Sequence, residues 1–392
     1  MRVRRVERFD VIVVGAGLAG LCVCEPLARR GLRVLLVDRR RSLDRGIRTT
    51  GIFVRKTLED FELPEECLGP PVRDVVLYSP SGRPLALSSP HREFRVGRMG
   101  PLYLRRLEDC RRAGVEALLG ARFVGAQPVD AGSLVRLAGT DGLREVEARF
   151  LIGADGARSR VARDLGLSMN SEMIVGVEGV FRASGSTGAP RLHCFLDPAL
   201  APGYLAWVVD DGEDVHVGVG GYARRFNPTS ALCEFTRRIS RQFNLTNARP
   251  IERRSGEIPV GGVLARLACP RGLLVGDAAG AVSPLTAGGL DPCLRLSAFA
   301  ARVTTAHLNG EAGALAGYRG ERFRARFIAR RWMRRAISAV RSPLLLEAAC
   351  AALRTQPGRA LAWHVFFARG SFPDLPGERT RRRPVAARSL AD

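Results

Sequence analysis

Residues 276–290, GDAAGAVSPLTAGGL, place one acid, Asp277, ahead of a stretch of nearly bare backbone that runs to Gly288, Gly289 and Leu290. Peptide N–H groups without side chains around them let a ligand approach closely. A second such stretch lies near the N-terminus, where Gly15, Gly17 and Gly20 form G-x-G-x-x-G directly behind Val-Ile-Val-Val. Asp38 follows 18 residues after Gly20, at the end of a second apolar run. This is the spacing of a dinucleotide fingerprint. The first glycine turns the chain, the second admits a pyrophosphate, the third packs helix on strand, and the acid accepts from ribose hydroxyls. Gly15, Ala16, Gly17, Leu18, Ala19, Gly20, Asp38 and Arg39 are therefore the candidate nucleotide residues. An acid at position 38 argues against a 2′-phosphate and leaves NAD or FAD.

Other side-chain chemistry is sparse. The chain has nine cysteines and five histidines, with no C-x-x-C and no spacing that suits a metal, so no metal site is expected. No G-x-S-x-G elbow occurs. Whatever reaction takes place, a bound cofactor must supply it.

The elements that would hold such a cofactor are readable. FDVIVVGAGLAGLCVCEPLARRGLRVLLVDR, residues 9–39, reads as strand, glycine turn, helix and strand. FLIGADGARSRVAR, residues 150–163, reads as an apolar strand running into Asp155, with a helix opening near Ser159. A third apolar strand, RGLLV, leads into Gly276 and Asp277.

These three ordered segments resemble the para-hydroxybenzoate hydroxylase-type superfamily of FAD-dependent oxidoreductases. The resemblance implies FAD as the cofactor, with Asp277 on the ribityl hydroxyls and the amides near Gly288 and Gly289 facing the flavin's pyrimidine edge. It adds Asp155, Gly276 and Leu290 to the cofactor set, with Arg98 as a flavin-contacting arginine. It also implies NAD(P)H as a reductant that visits the same cleft transiently, since there is one dinucleotide fold. Within the superfamily, the segment from 276 onward is similar to the geranylgeranyl reductase branch. RTTGIFVRKTLEDFEL (48–63) and PGYLAWVVDDGEDVHVGVGG (202–221) look like that branch's substrate segments. They differ from it in holding Thr49 or Thr50 where a cysteine is expected, and Val209 and Asp210 where Phe-Pro is expected. The implied substrate wall takes Thr50, Tyr204, Trp207 and Pro284.

The expected fold is α/β: a Rossmann-like FAD-binding domain in three pieces (1–60, 95–170 and 266–310) with an inserted antiparallel-sheet substrate domain (61–94 and 171–265). A helical region (311–378) and a disordered tail (379–392) follow. The expected activity is reduction of a C=C bond in an apolar, isoprenoid- or polyketide-like substrate. The alternatives are an oxygen-using hydroxylase, epoxidase or halogenase, and an accessory protein that keeps FAD structurally.

Net charge is +22, yet Lys56 is the single lysine among 61 basic residues. So strong a preference for arginine fits a coding bias and a solvated surface, and no nucleic-acid module accompanies it. RFRARFIARRWMRRAISAV, residues 322–340, gathers Ile328, Trp332, Ala336 and Val340 on one helical side. That side is expected to pack on the protein itself, although its basic amphipathic character also suits a peripheral membrane contact. No apolar run reaches the roughly 20 residues a membrane span needs, and the start lacks a signal-peptide cleavage site. A cytoplasmic protein is expected.

Overall fold

The computed structural model describes residues 6–140, 142–182 and 189–368. The tail expected to be disordered, 379–392, lies outside the described residues.

Two large sheets organise the chain. In the first, the parallel strands Gly272–Leu274, Gly142–Gly153, Glu7–Val14, Val34–Asp38 and Glu116–Leu119 lie side by side in that order. Val34–Asp38 is buried at every position, as expected for a parallel strand covered on both faces. The helix Leu18–Ala28 covers one face and packs against the long helix Leu290–Leu308, where Ser297 Oγ donates to the Ala19 carbonyl at 3.2 Å.

The order of these strands positions the site. The three motif-bearing strands are immediate neighbours, and each motif begins where its strand ends: Gly15 after Val14, Ala154 after Gly153 and Gly276 just beyond Leu274. In parallel sheets, ligands bind outside the carboxyl ends of the strands. Three segments far apart in sequence thereby share one edge.

The second sheet has the order Glu252–Pro259, Met173–Arg182, Asp214–Gly221, Ala206–Asp210, Arg191–Phe195, Asp74–Tyr78 and Pro84–Ser88. Its pairs are antiparallel except for Arg191–Phe195 with Asp74–Tyr78. One row across it reads Trp207, Gly218, Glu178, Arg254. Gly218 is required there, because a Cβ on it would lie 2.1 Å from Cζ2 of the Trp207 ring.

The C-terminal helices Ile328–Ala339, Pro343–Leu353 and Gln356–Phe367 close over the space between the sheets. The first of these departs from the expected packing. Ile328 and Trp332 are 56% and 64% exposed, whereas Arg334 is 3% exposed. The Arg334 guanidinium sits 5.5 and 5.4 Å from the ring centres of Tyr204 and Tyr222 and donates to the Pro284 carbonyl at 3.1 Å. A delocalised, weakly hydrated cation can be buried against aromatic faces. Here it takes the inward face that the aliphatic residues were expected to fill. Among the described residues, no helix is long and apolar enough to cross a membrane.

Candidate functional site

The glycine turn is built from contacts that allow no side chain. Gly15 has φ +106°, and a Cβ there would lie 2.3 Å from the Ala154 carbonyl. A Cβ on Gly20 would lie 1.8 Å from the Gly15 carbonyl. At Gly17 a Cβ would meet nothing within 4 Å. Gly15 and Gly20 thus serve the fold, while Gly17 leaves open space above the start of the helix, where partial positive charge favours phosphate.

Asp38 is buried at the end of its strand and accepts from the Ala16 amide at 2.7 Å. Burial pushes its carboxyl pKa upward, but hydrogen bonds and charge from Arg40 outweigh that and hold it below the usual range. Arg40 donates to both carboxylate oxygens, each at 3.1 Å, while Arg39 is exposed. Asp155 caps the following helix, accepting from Ser159 Oγ at 2.6 Å and the Arg160 amide at 2.7 Å. Its neighbours Ala154 and Gly156, rather than Asp155 itself, line the cavity.

One cavity of about 710 Å³ joins the two sheets. It begins at Gly17, Leu18 and Ala19, passes Gly276, Asp277, Gly288, Gly289 and Leu290, and continues to Thr50, Tyr204 and Trp207. Its far end is apolar, walled by Leu77, Leu192, Cys194 and Leu205 from the second sheet side and by Leu346, Leu353, Ala362 and Phe366 from the helices. Asp277 is set deep in the fold among buried residues, with its side chain exposed to this cavity. The surrounding protein desolvates the carboxyl and pushes its pKa up to about 6. Among the described residues, no group hydrogen-bonds its carboxylate. Beyond it, Ala287 is held at φ +53°, and Gly289 opens the 19-residue helix Leu290–Leu308 with no side-chain cap. The helix start therefore presents free amides to the cavity.

The substrate-side candidates converge on a residue that sequence reasoning missed. Glu178 is buried and lines the cavity. It accepts from Thr50 Oγ1, from Trp207 Nε1 at 3.1 Å and from Arg254 at 3.3 Å. Behind it, His216 Nδ1 lies 3.1 Å from Glu178 Oε1, and His216 Nε2 lies 3.0 Å from Asp211 Oδ2. Burial pushes the Glu178 carboxyl upward, but His216, Arg254 and Thr50 hold it below the usual range. Burial likewise lowers His216, and the carboxylates of Glu178 and Asp211 more than reverse this, to about 9. Tyr204 donates to the Thr286 carbonyl at 2.8 Å and thereby ties the second sheet to the bare loop.

Like Gly15, Ala16, Gly20, Asp38, Arg39 and Asp155, the sequence candidates Arg98 and Pro284 stand outside the cavity lining. Arg98 caps the helix Met99–Arg112 and pairs with Glu213 at 2.8 Å. Pro284 is buried, with its carbonyl taken by Arg334.

Comparison with known proteins agrees with this geometry. The FAD binding domain family matches residues 107–332, and the lycopene cyclase protein family matches residues 10–181. Digeranylgeranylglycerophospholipid reductase 2 of Methanopyrus kandleri is 31% identical over 75% of this chain and 76% of its own length. Digeranylgeranylglycerophospholipid reductase 1 of Methanococcoides burtonii is 27% identical over 76% and 74%. The chain belongs to the geranylgeranyl reductase-like branch of the FAD-dependent oxidoreductases. In fold it is similar to a geranylgeranyl bacteriochlorophyll reductase-like protein from Thermoplasma acidophilum, with TM-score 0.79, 20% identity, and 92% of this chain and 97% of that one covered. It is also similar in fold to p-nitrophenol 4-monooxygenase from Pseudomonas putida, with TM-score 0.68, 18% identity, and coverage of 93% and 94%.

The protein is an FAD-dependent enzyme, and the residues present fit the cofactor. The gap above Gly17 and the helix start behind it suit the pyrophosphate, and the unpartnered Asp277 carboxylate suits a polyol hydroxyl. The bare amides of 288–290 suit the edge of a flat ring. As a reductase-branch oxidoreductase, the protein also carries what the sequence did not disclose. The Glu178–His216–Asp211 chain is assembled by strand register and a hairpin turn, and its signal was faint: one acid and one of five histidines within alternating strand segments, and a second acid in the turn between two of them.

Proposed function

We propose that the protein reduces C=C bonds in the isoprenoid chain of an apolar or amphipathic lipid. The observation that carries this reading is the cavity. It is continuous from the nucleotide turn, past Asp277 and the bare loop, to an apolar end between the second sheet and the C-terminal helices. Burying a polar substrate in that end without partners would cost several kcal/mol, whereas a hydrocarbon chain gains from burial at about 0.8 kcal/mol per methylene. The names of the sequence relatives point to the same substrate class.

Gly17, Leu18, Asp38, Asp277, Gly288 and Gly289 would hold FAD, which when bound supplies hydride chemistry. The chain's own residues orient the cofactor, exclude water from the cavity and present Thr50, Trp207 and Tyr204 to the substrate. NAD(P)H is proposed as the reductant, entering the cleft transiently. A peripheral membrane contact is proposed for the exposed Trp332, Leu344, Leu345 and Trp363 on the helices that close the cavity. Such a contact would let a lipid pass directly into it.

The test is anaerobic turnover of the FAD-loaded protein, reduced with dithionite or NADPH, against a lipid with geranylgeranyl chains. The expected product gains two hydrogens for each bond reduced, without oxygen. A product that forms only in oxygen and carries an oxygen atom from it would replace this reading with a monooxygenase.

A further inference from the structure

Saturating a C=C bond takes a hydride at one carbon and a proton at the other, and an apolar cavity holds little water to supply the proton. We propose that Asp211, His216 and Glu178 form a proton relay that ends at the Thr50 hydroxyl in the cavity. The proposal rests on the C=C reduction reading above.

The chain of contacts is continuous. Thr50 Oγ1 donates to Glu178 Oε2, and Glu178 Oε1 is 3.1 Å from His216 Nδ1. His216 Nε2 is 3.0 Å from Asp211 Oδ2. The inner end, Thr50 and Glu178, lines the cavity. The outer end is a hairpin turn, where Asp211 accepts from the Glu213 and Asp214 amides at 2.9 and 2.7 Å. Glu213 beside it is more than half exposed. His216, Glu178 and Asp211 are 2%, 4% and 5% exposed, so the protonated pair is shielded from bulk water and meets solvent only through the small residual exposure of Asp211 in the hairpin. A purely structural cluster would be matched or bettered by apolar residues of similar volume. This one opens onto the reacting space and grips two residues of the substrate wall, Thr50 and Trp207.

In the step, one alkene carbon receives a hydride from the reduced flavin. The π electron pair forms the second C–H bond with the proton of Thr50 as its O–H bond breaks. The Thr50 oxygen takes a proton from Glu178, and Glu178 takes one from the His216 imidazolium. His216 is left neutral and is recharged from solvent by way of Asp211. Groups facing His216 are Glu178 from Met173–Arg182, Asp211 and Asp214 from the hairpin, and Arg254 from Glu252–Pro259 through Glu178. The two bonded carboxylates dominate, so the relay is charged below about pH 9 and empties above it.

The experiment follows reoxidation of the chemically reduced flavoprotein by a geranylgeranyl-chain glycerol ether lipid, in water and in deuterium oxide, across the alkaline range. Histidine ¹⁵N NMR titration of the flavin-free protein accompanies it. The wild-type rate should fall above about pH 9, with a solvent isotope effect, and the His216 resonance should titrate there. His216→Gln should lower the rate about 100-fold at unchanged FAD content. Glu178→Gln cannot pass the proton on, so it should lower the rate as His216→Gln does and should move the histidine titration to lower pH. Asp211→Asn keeps an acceptor for the turn amides, so it covers the case in which His216→Gln does not fold, and it should shift the alkaline limb to lower pH. Thr50→Val should lose rate that Thr50→Ser restores. A folded His216→Gln or Asp211→Asn protein with the wild-type rate, pH profile and isotope effect would overturn the relay, as would a His216 that titrates at its ordinary value. If the lipid fails to reoxidise wild-type flavin, the reduction reading falls and takes the relay with it.

Discussion

The nucleotide end and the substrate end of the cavity are built in opposite ways. At the nucleotide end the decisive features are places where a side chain is missing: Gly15, Gly17, Gly20, Gly276 and Gly289. At the substrate end they are side chains that meet across strands, with Glu178 accepting from Thr50, 128 positions away in the chain, and from Trp207, 29 positions away. A ligand common to many enzymes is held through backbone, which every sequence possesses. A substrate peculiar to one enzyme is held through side chains, and these depend on register.

The largest expected effect separates fold from binding within the glycine turn itself. Gly20→Ala places a Cβ 1.8 Å from a backbone oxygen that cannot move aside. It should cost at least about 4 kcal/mol and leave little folded protein. Gly17→Ala meets nothing within 4 Å and should melt within about 0.5 kcal/mol of wild type while losing most of its FAD. Thermal melts and flavin absorbance check both. If the two variants behave alike, the division of labour between these glycines is wrong.

That contrast explains what could be read from the sequence. Gly15 to Asp38 is one contiguous strand–turn–helix–strand unit, so its spacing alone discloses the geometry. The Asp277 segment is legible for the same reason, since an acid followed by bare backbone is a local pattern. The Glu178–His216–Asp211 chain is not local. Its members come together because Glu178 lies opposite Gly218 in one cross-strand row with Trp207 and Arg254, while His216 stands two residues from Gly218 on the same face, and a one-residue slip in either pairing would separate them. The arginine-rich helix misled for another reason: helical periodicity assigns the apolar side inward, but Arg334 found two aromatic rings to stack on. Arg40 rather than Arg39 reaches Asp38 because the chain turns directly after the strand, a detail below the reach of pattern reading.

A mid-sized effect should come from Gly218, the substrate-end counterpart of Gly20. A methyl group there would displace the Trp207 ring, whose Cζ2 lies 2.1 Å from the added Cβ. Gly218→Ala should destabilise by about 1–3 kcal/mol, keep FAD and lose turnover. A variant that loses FAD and activity in parallel would mean that the two ends of the cavity are not separable.

Asp277 sharpens the comparison from the side of electrostatics. Its carboxyl rises from an ordinary 3.8 to about 6 because burial disfavours the charge. A raised folded-state pKa contributes stability that is complete below the unfolded value and lost as pH rises through 6. The flavin-free protein should therefore be less stable at pH 7 than at pH 4.5 on this account, and Asp277→Asn should remove the dependence. Because the carboxylate is open to cavity water, the gain at pH 7 is discounted to about 1 kcal/mol. The same variant should bind FAD about tenfold more weakly, since an amide is a poorer acceptor for a hydroxyl. Flavin titration and pH-dependent melts test both signs. A variant that is neither stabilised when empty nor weakened in binding would show that Asp277 does not face the cofactor.

The smallest effect is expected at Arg98, where sequence and structure point in different directions. Its resemblance-based role is contact with the flavin, yet its guanidinium pairs with the half-exposed Glu213 and stands outside the cavity lining. An exposed ion pair of this kind contributes less than about 1 kcal/mol. Arg98→Gln should accordingly shift the melting temperature by little and leave FAD affinity within about twofold. Glu213→Gln, which removes the partner and keeps the arginine, should do no more. Should Arg98→Gln lose FAD while Glu213→Gln retains it, the arginine must leave Glu213 for the cofactor when FAD binds. The nucleotide end would then depend on a side chain delivered from the substrate side of the molecule, and the two ends would be built less differently than their free geometry implies.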